Sequence, residues 1–141
     1  SILYYYKHFD YPMIKEIENR ADLRLLVERF YTKIRADAEI GFFFNETITD
    51  WEEHLDKLTD FWEMNIFGAR KFTGNPIVAH NAVDKKFHQK ITSNIFGIWL
   101  NLWFATIDEM FIGENAETLK RRAQKMSTFL FMNIFESRKK G

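Results

Sequence analysis

Histidines lead the few residues of this chain that could do chemistry. His54 sits inside an apolar stripe at helical spacing, flanked by Trp51, Leu58 and Phe61. His80 follows an Asn75-Pro76 pair that reads as N-cap and first-turn proline, with Ile77, Val78 and Ala79 beside it. His8 falls in an unpatterned opening and His88 in a Lys-rich connection, so both read as exposed. The 141 residues contain no cysteine, which excludes a disulfide framework, a thiolate zinc site and a cysteine nucleophile. A Gly-rich phosphate loop, a G-x-S-x-G elbow and an H-E-x-x-H pair are also missing, and the carboxylates are scattered over polar faces rather than paired.

Two histidines on separate helices, walled by aromatics, suit a planar apolar cofactor better than a bare metal. A structural zinc site wants four nitrogen or sulfur ligands, and a di-iron bundle wants inward glutamates with Glu-x-x-His spacing. Neither pattern occurs. A haem site asks for one neutral imidazole, an apolar cleft and a tuned opposite face. The same residues also fit a cofactor-free helical bundle in which His54 and His80 are core histidines.

The elements that must position these side chains are helices. Pro12, after Asp10, can open a short helix towards Arg20. Leu25, Leu26, Phe30 and Ile34 predict a helix from Asp22, as N-cap, to about Asp37. An irregular connection carries Phe42, Phe43 and Phe44. Thr49 with Glu52 forms a capping-box pattern before the stripe Trp51, His54, Leu55, Leu58, Phe61 and Trp62, and Gly68 stops that helix. Further helices are predicted from about Thr92 to Ile112 and from about Ala116 to Glu136. Trp51, Phe96 and Trp103 read as packing residues. No stretch alternates long enough to make a strand, so the chain is all-α.

Composition agrees. Apolar residues are 46% and charged residues 28%, the balance of one globular domain. Twenty basic residues cancel twenty acidic ones, so no net field recruits nucleic acid. No uncharged run approaches the roughly 20 residues a membrane span needs, and no signal peptide is visible, which gives a cytoplasmic expectation. Fifteen Phe, four Trp and five Tyr against six Gly and two Pro point to long helices around bulky contents.

Five ordered blocks carry a resemblance that the spacing does not supply. RFYTKIRAD holds Tyr31, IGFFFN holds Phe44, and DWEEHLDKLTDFW holds His54 and Trp62. GNPIVAH with His80 follows, then FGIWLNLWFATIDEMFIGENA with Trp99, running into RRAQKM. From about Leu23 to about Phe129 the chain resembles the truncated haemoglobins. The paired glycines usual in groups I and II are missing, which favours group III.

The resemblance implies a two-over-two helical sandwich around haem b. It expects residues 1–21 to be an extension with a short helix, residues 22–136 the domain and residues 137–141 a tail. His80 matches the proximal iron ligand, and Tyr31 and Trp99 match distal hydrogen-bond donors. His54 matches the distal-helix position that group III often fills with histidine. Phe44 matches the phenylalanine against the porphyrin, and Leu58, Phe61 and Trp62 match further wall positions. Lys57 is expected at the propionate edge; Arg70, Lys71, Lys85 and Lys86 read as exposed charge instead. The stretch between His80 and Phe96 is polar and irregular beside the family pattern.

The implied function is binding of dioxygen or another diatomic ligand such as nitric oxide or carbon monoxide, for oxygen, nitric oxide or peroxide redox chemistry rather than bulk transport. Such chemistry expects an unidentified reductase, and turnover as a dioxygenase or peroxidase stays open. The alternative is a non-enzymatic haem-based sensor or interaction module.

Overall fold

A computed structural model of the chain describes residues 14–69, 74, 76–87 and 89–139. The three opening tyrosines, Pro12, His8, His88, Arg70, Lys71 and the Asn75 cap lie outside the described residues. The helices, in chain order, are α1 (Arg20–Ala36), α2 (Gly41–Asn45), α3 (Trp51–Phe67), α4 (Pro76–Lys86), α5 (Ser93–Met110) and α6 (Glu114–Lys139). The fold is all-α, as the sequence predicts.

Helix ends follow capping chemistry, with two corrections. The side chain of Asn19, not Asp22, caps α1, accepting from the Asp22 backbone N–H. Asp50, not Thr49, caps α3, accepting from the Glu53 N–H. In both cases a neighbouring Asn or Asp satisfies the otherwise orphaned amides. Gly68 ends α3 in the left-handed region at φ 72, as expected of a C-terminal glycine. Phe42, Phe43 and Phe44, expected in an irregular connection, lie instead on the five-residue helix α2. Residues 14–19 do not continue a helix from Pro12: Lys15 is extended and forms a parallel bridge with Phe111 after α5.

α1 packs on α3 and α5, and α6 packs on α4 and α5, giving two layers of paired long helices. Leu23, Leu26, Val27, Phe30, Tyr31 and Ile34 are the buried face of α1, while Leu25, expected inward, is exposed. An aromatic column fills the centre. Trp103 is fully buried, stacks on Trp62 at 4.8 Å and on Trp99 at 6.0 Å, and receives the edge of Phe30 at 4.9 Å. Its indole N–H donates to the Leu119 carbonyl at 3.2 Å, so the ring is buried without orphaning its polar atom. Gly41 lets α2 start directly against the end of α1: a Cβ there would stand 2.7 Å from the Arg35 carbonyl oxygen.

The apolar stripes of α3 and α5 are not sealed. Leu55, Leu58, Phe61 and Ile66 on α3, with Ile95, Phe96, Ile98 and Trp99 on α5, remain only half-buried, whereas Trp62 and Trp103 are buried. Of these, Leu58, Phe61, Ile95, Phe96 and Trp99 border a space that protein does not fill. The outer face of α3 is tied to α1 by charge: Arg20 meets Asp60 at 2.5 Å, and Arg24 pairs with Glu28, Glu52 and Asp56.

Candidate haem cleft

The unfilled space is a cleft lined by side chains of α1 to α6. His54, Leu58, Phe61 and Trp62 supply the α3 wall, and Pro76, Ala79, His80 and Val83 the α4 wall. Tyr31 and Phe44 close one side, and Trp99 with Ile95 and Phe96 another. Thus Tyr31, Phe44, His54, Leu58, Phe61, Trp62, His80 and Trp99, named from the sequence, all line one cavity. Lys57 does not. It is exposed on the outer surface of α3 and acts on the cleft only through its charge beside His54. Lys85 and Lys86 are exposed, and Lys86 donates to the Glu46 carbonyl.

His80 is fixed through its own helix. Its Nδ1 lies 2.7 Å from the Pro76 carbonyl oxygen, one turn earlier. A carbonyl only accepts, so Nδ1 carries the hydrogen of the neutral ring, and the Nε2 lone pair is left for a ligand partner. Pro76 suits this first turn, where no helical N–H is needed. Burial pushes the His80 imidazole below its ordinary value, and the bond to Pro76 opposes that only in part. The ring stays neutral, the form that can donate an electron pair.

Tyr31 and Trp99 form a linked pair. The Tyr31 ring is buried, with the edges of Phe44 and His54 at 5.7 and 5.8 Å and Trp51 at 5.9 Å. Burial raises its hydroxyl pKa well beyond the usual phenol range, and a hydrogen bond from Trp99 lowers it again in part. An indole N–H only donates, which is why Trp99 favours the ionised oxygen and lowers the value. The Tyr31 side chain lines the cleft. His54, half-buried between Tyr31 and Trp51, is held below its ordinary pKa first by burial and then by the positive charge of Lys57.

The sequence reading missed the far side of the cleft. Met126, Ser127 and Leu130 of α6 reach it, as do Ile40 and Ile91 from connections. Ser127 is only 3% exposed and its Oγ finds no partner in the protein. That oxygen is itself shut off from the cleft, so Ser127 meets the space through its other atoms. An apolar, aromatic-walled slot with the neutral imidazoles of His80 and His54 and a polar hydrogen from Tyr31 fits a large planar apolar group that presents a metal.

Comparison with known proteins shows likeness to the truncated haemoglobins. No family model matches the chain. The curated "Group 3 truncated hemoglobin ctb" of Campylobacter jejuni is 29% identical over 123 residues, covering 84% of this chain and 92% of that protein. The crystal structure of the group III truncated haemoglobin from Campylobacter jejuni superposes with a TM-score of 0.77 at 27% identity, over 86% of this chain and 95% of that one. The resemblance to the group III truncated haemoglobins is borne out, and the fold is the all-α truncated globin fold. Among the described residues, no helix is long and apolar enough to cross a membrane.

Proposed function

We propose that the cleft binds haem b, that His80 would hold its iron, and that a diatomic molecule would be taken up beside Tyr31, His54 and Trp99. The observation that carries this reading is the pair of half-buried apolar stripes on α3 and α5 facing His80, whose Nε2 is free while its Nδ1 is bonded to Pro76. Haem, when bound, supplies an iron that takes a diatomic ligand and exchanges electrons with it. His80 supplies the electron pair that holds the group, and Phe44, Leu58, Phe61 and Trp62 exclude water from its faces.

Tyr31 is the donor to the diatomic ligand. Its ring lines the cleft, burial keeps its hydroxyl protonated, and the donor character of the neighbouring Trp99 indole makes that O–H a better donor. In a dry site that hydrogen bond selects ligands with partial negative charge and slows their escape. Slow escape suits redox chemistry on dioxygen, nitric oxide or peroxide better than bulk delivery, and turnover then draws electrons from a separate reductase. His54, kept neutral, serves as a gate at the cleft rather than as a second iron ligand.

The direct test is to purify the protein, titrate it with hemin and follow the Soret band. One haem per chain with a high-spin, five-coordinate ferrous spectrum is expected. A protein that takes up no haem under these conditions would return the cleft to the cofactor-free reading.

A further inference from the structure

The helix that carries His80 is tied down outside the cleft as well, by exposed Lys86 on the Glu46 carbonyl and by a buried ion pair at Asp84. Asp84 stands one turn beyond His80 on α4 and is only 3% exposed. Arg138, near the end of α6, grips it with both arms: Nη2 donates to Oδ1 at 2.7 Å and Nε to Oδ2 at 3.0 Å. The same Nη2 donates to the Ile91 carbonyl at 2.5 Å, so one guanidinium joins α4, the α4–α5 connection and α6. Val83, beside Asp84, and Ile91 both line the cleft.

We propose that the Asp84–Arg138 pair is a positioning clamp that fixes the roll of α4 and hence the direction in which the His80 imidazole points. The inference rests on His80 being the iron ligand. Its physical basis is geometric. Among the described residues the one hydrogen bond of the His80 ring is to a carbonyl of its own helix, so Pro76 orients the ring relative to α4 but not relative to the cleft. A bidentate, largely buried guanidinium–carboxylate pair has a fixed planar geometry that a single-point contact lacks. It sits 54 residues apart in sequence, close to the end of α4 where Gln89 turns the chain at φ 63. Neither Asp84 nor Arg138 lines the cleft, so both act through α4.

The test uses the full chain loaded with haem. Asp84→Asn keeps the side-chain shape and removes the charge; Arg138→Lys keeps the charge and removes the fork. Each is compared with Ile107→Ala, a core truncation on α5, at matched loss of melting temperature. The expected result is a shifted or broadened iron–imidazole stretching band in the ferrous resonance Raman spectrum, and haem transfer to an apoglobin acceptor at least tenfold faster, in both clamp variants but not in Ile107→Ala. Clamp variants that match Ile107→Ala in band and transfer rate would reduce the pair to an ordinary stabilising contact. In that case a band lost in His80→Ala would leave the ligand assignment standing. A band and haem content unchanged in His80→Ala would sink the assignment and the clamp together.

Discussion

Trp99 and Tyr31 line the same cleft, and the Trp99 indole, which can only donate, draws the buried Tyr31 hydroxyl pKa down against the rise that burial imposes. The family pattern by itself has both donating in parallel to one ligand. On the proposed reading Tyr31 is the contact and Trp99 its support. Tyr31→Phe should speed dioxygen release by about ten- to a hundredfold, since a hydrogen bond to a charged acceptor is worth roughly 1.5–3 kcal/mol and about 1.4 kcal/mol is tenfold.

That support makes a second expectation. In the Tyr31→Phe background the Trp99 N–H is released to face the ligand, so Trp99→Phe should slow or speed dioxygen release differently there than in the parent chain. Stopped-flow release rates across the four proteins of a double-mutant cycle measure the difference. Additive effects would mean that the two residues do not share a hydrogen bond. Carbon monoxide, with little charge on its oxygen, should respond much less throughout.

His80→Ala should abolish stable haem retention, and added imidazole should restore it, because the cavity left by the ring opens onto the cleft. A Soret titration with and without imidazole reads both halves. Full haem loading with an unaltered five-coordinate spectrum would place the ligand elsewhere.

His54 should leave the ferrous, ligand-free protein five-coordinate. Opening the cleft with His54→Leu is expected to quicken carbon monoxide association while changing its release little. A bis-histidyl low-spin ferrous spectrum that disappears in His54→Leu would make His54 a ligand instead of a gate.

Two buried groups set opposite pH limits. His54 is held below its ordinary value of about 6.5, so below that pH the unfolded chain binds the proton and the folded one does not, and stability falls on acidification. Tyr31 is pushed above its ordinary value of about 10, so above that pH the unfolded chain releases a proton the folded chain keeps, and stability falls again. Guanidinium melts of the cofactor-free protein should therefore show an acid slope, shared by His54 and His80, that His54→Leu flattens in part, and an alkaline slope that Tyr31→Phe flattens. Unchanged slopes would mean that these groups stay solvated.

Much of this architecture was legible from spacing. Gly68 ends α3 because only a left-handed residue closes it, and the stripes around Phe30, Leu58 and Trp103 forecast which faces turn inward. What spacing did not forecast was degree. A stripe reads the same whether protein or cofactor covers it, so the half-buried state of Leu58 or Ile95 needed the fold. Cap identities shifted by one or three residues because Asn19 and Asp50 compete with Asp22 and Thr49 on equal chemical terms. Ser127 and the Asp84–Arg138 pair carried no signal at all: an isolated serine and two charges far apart in sequence look like any solvated surface. The family blocks supplied Tyr31 and Trp99, which periodicity alone would have filed as packing.

Gly41 bears on how the cleft is dimensioned. A methyl group at that position would collide with the last carbonyls of α1, and backbone there cannot yield as a flexible side chain can. The short helix would have to back away, taking Phe43 and Phe44 with it. The aperture on the Tyr31 side would then widen although no cleft residue had changed. Gly41→Ala is thus a way to alter gas traffic by mechanical leverage, with the chemistry at Tyr31, Trp99 and His80 left chemically intact.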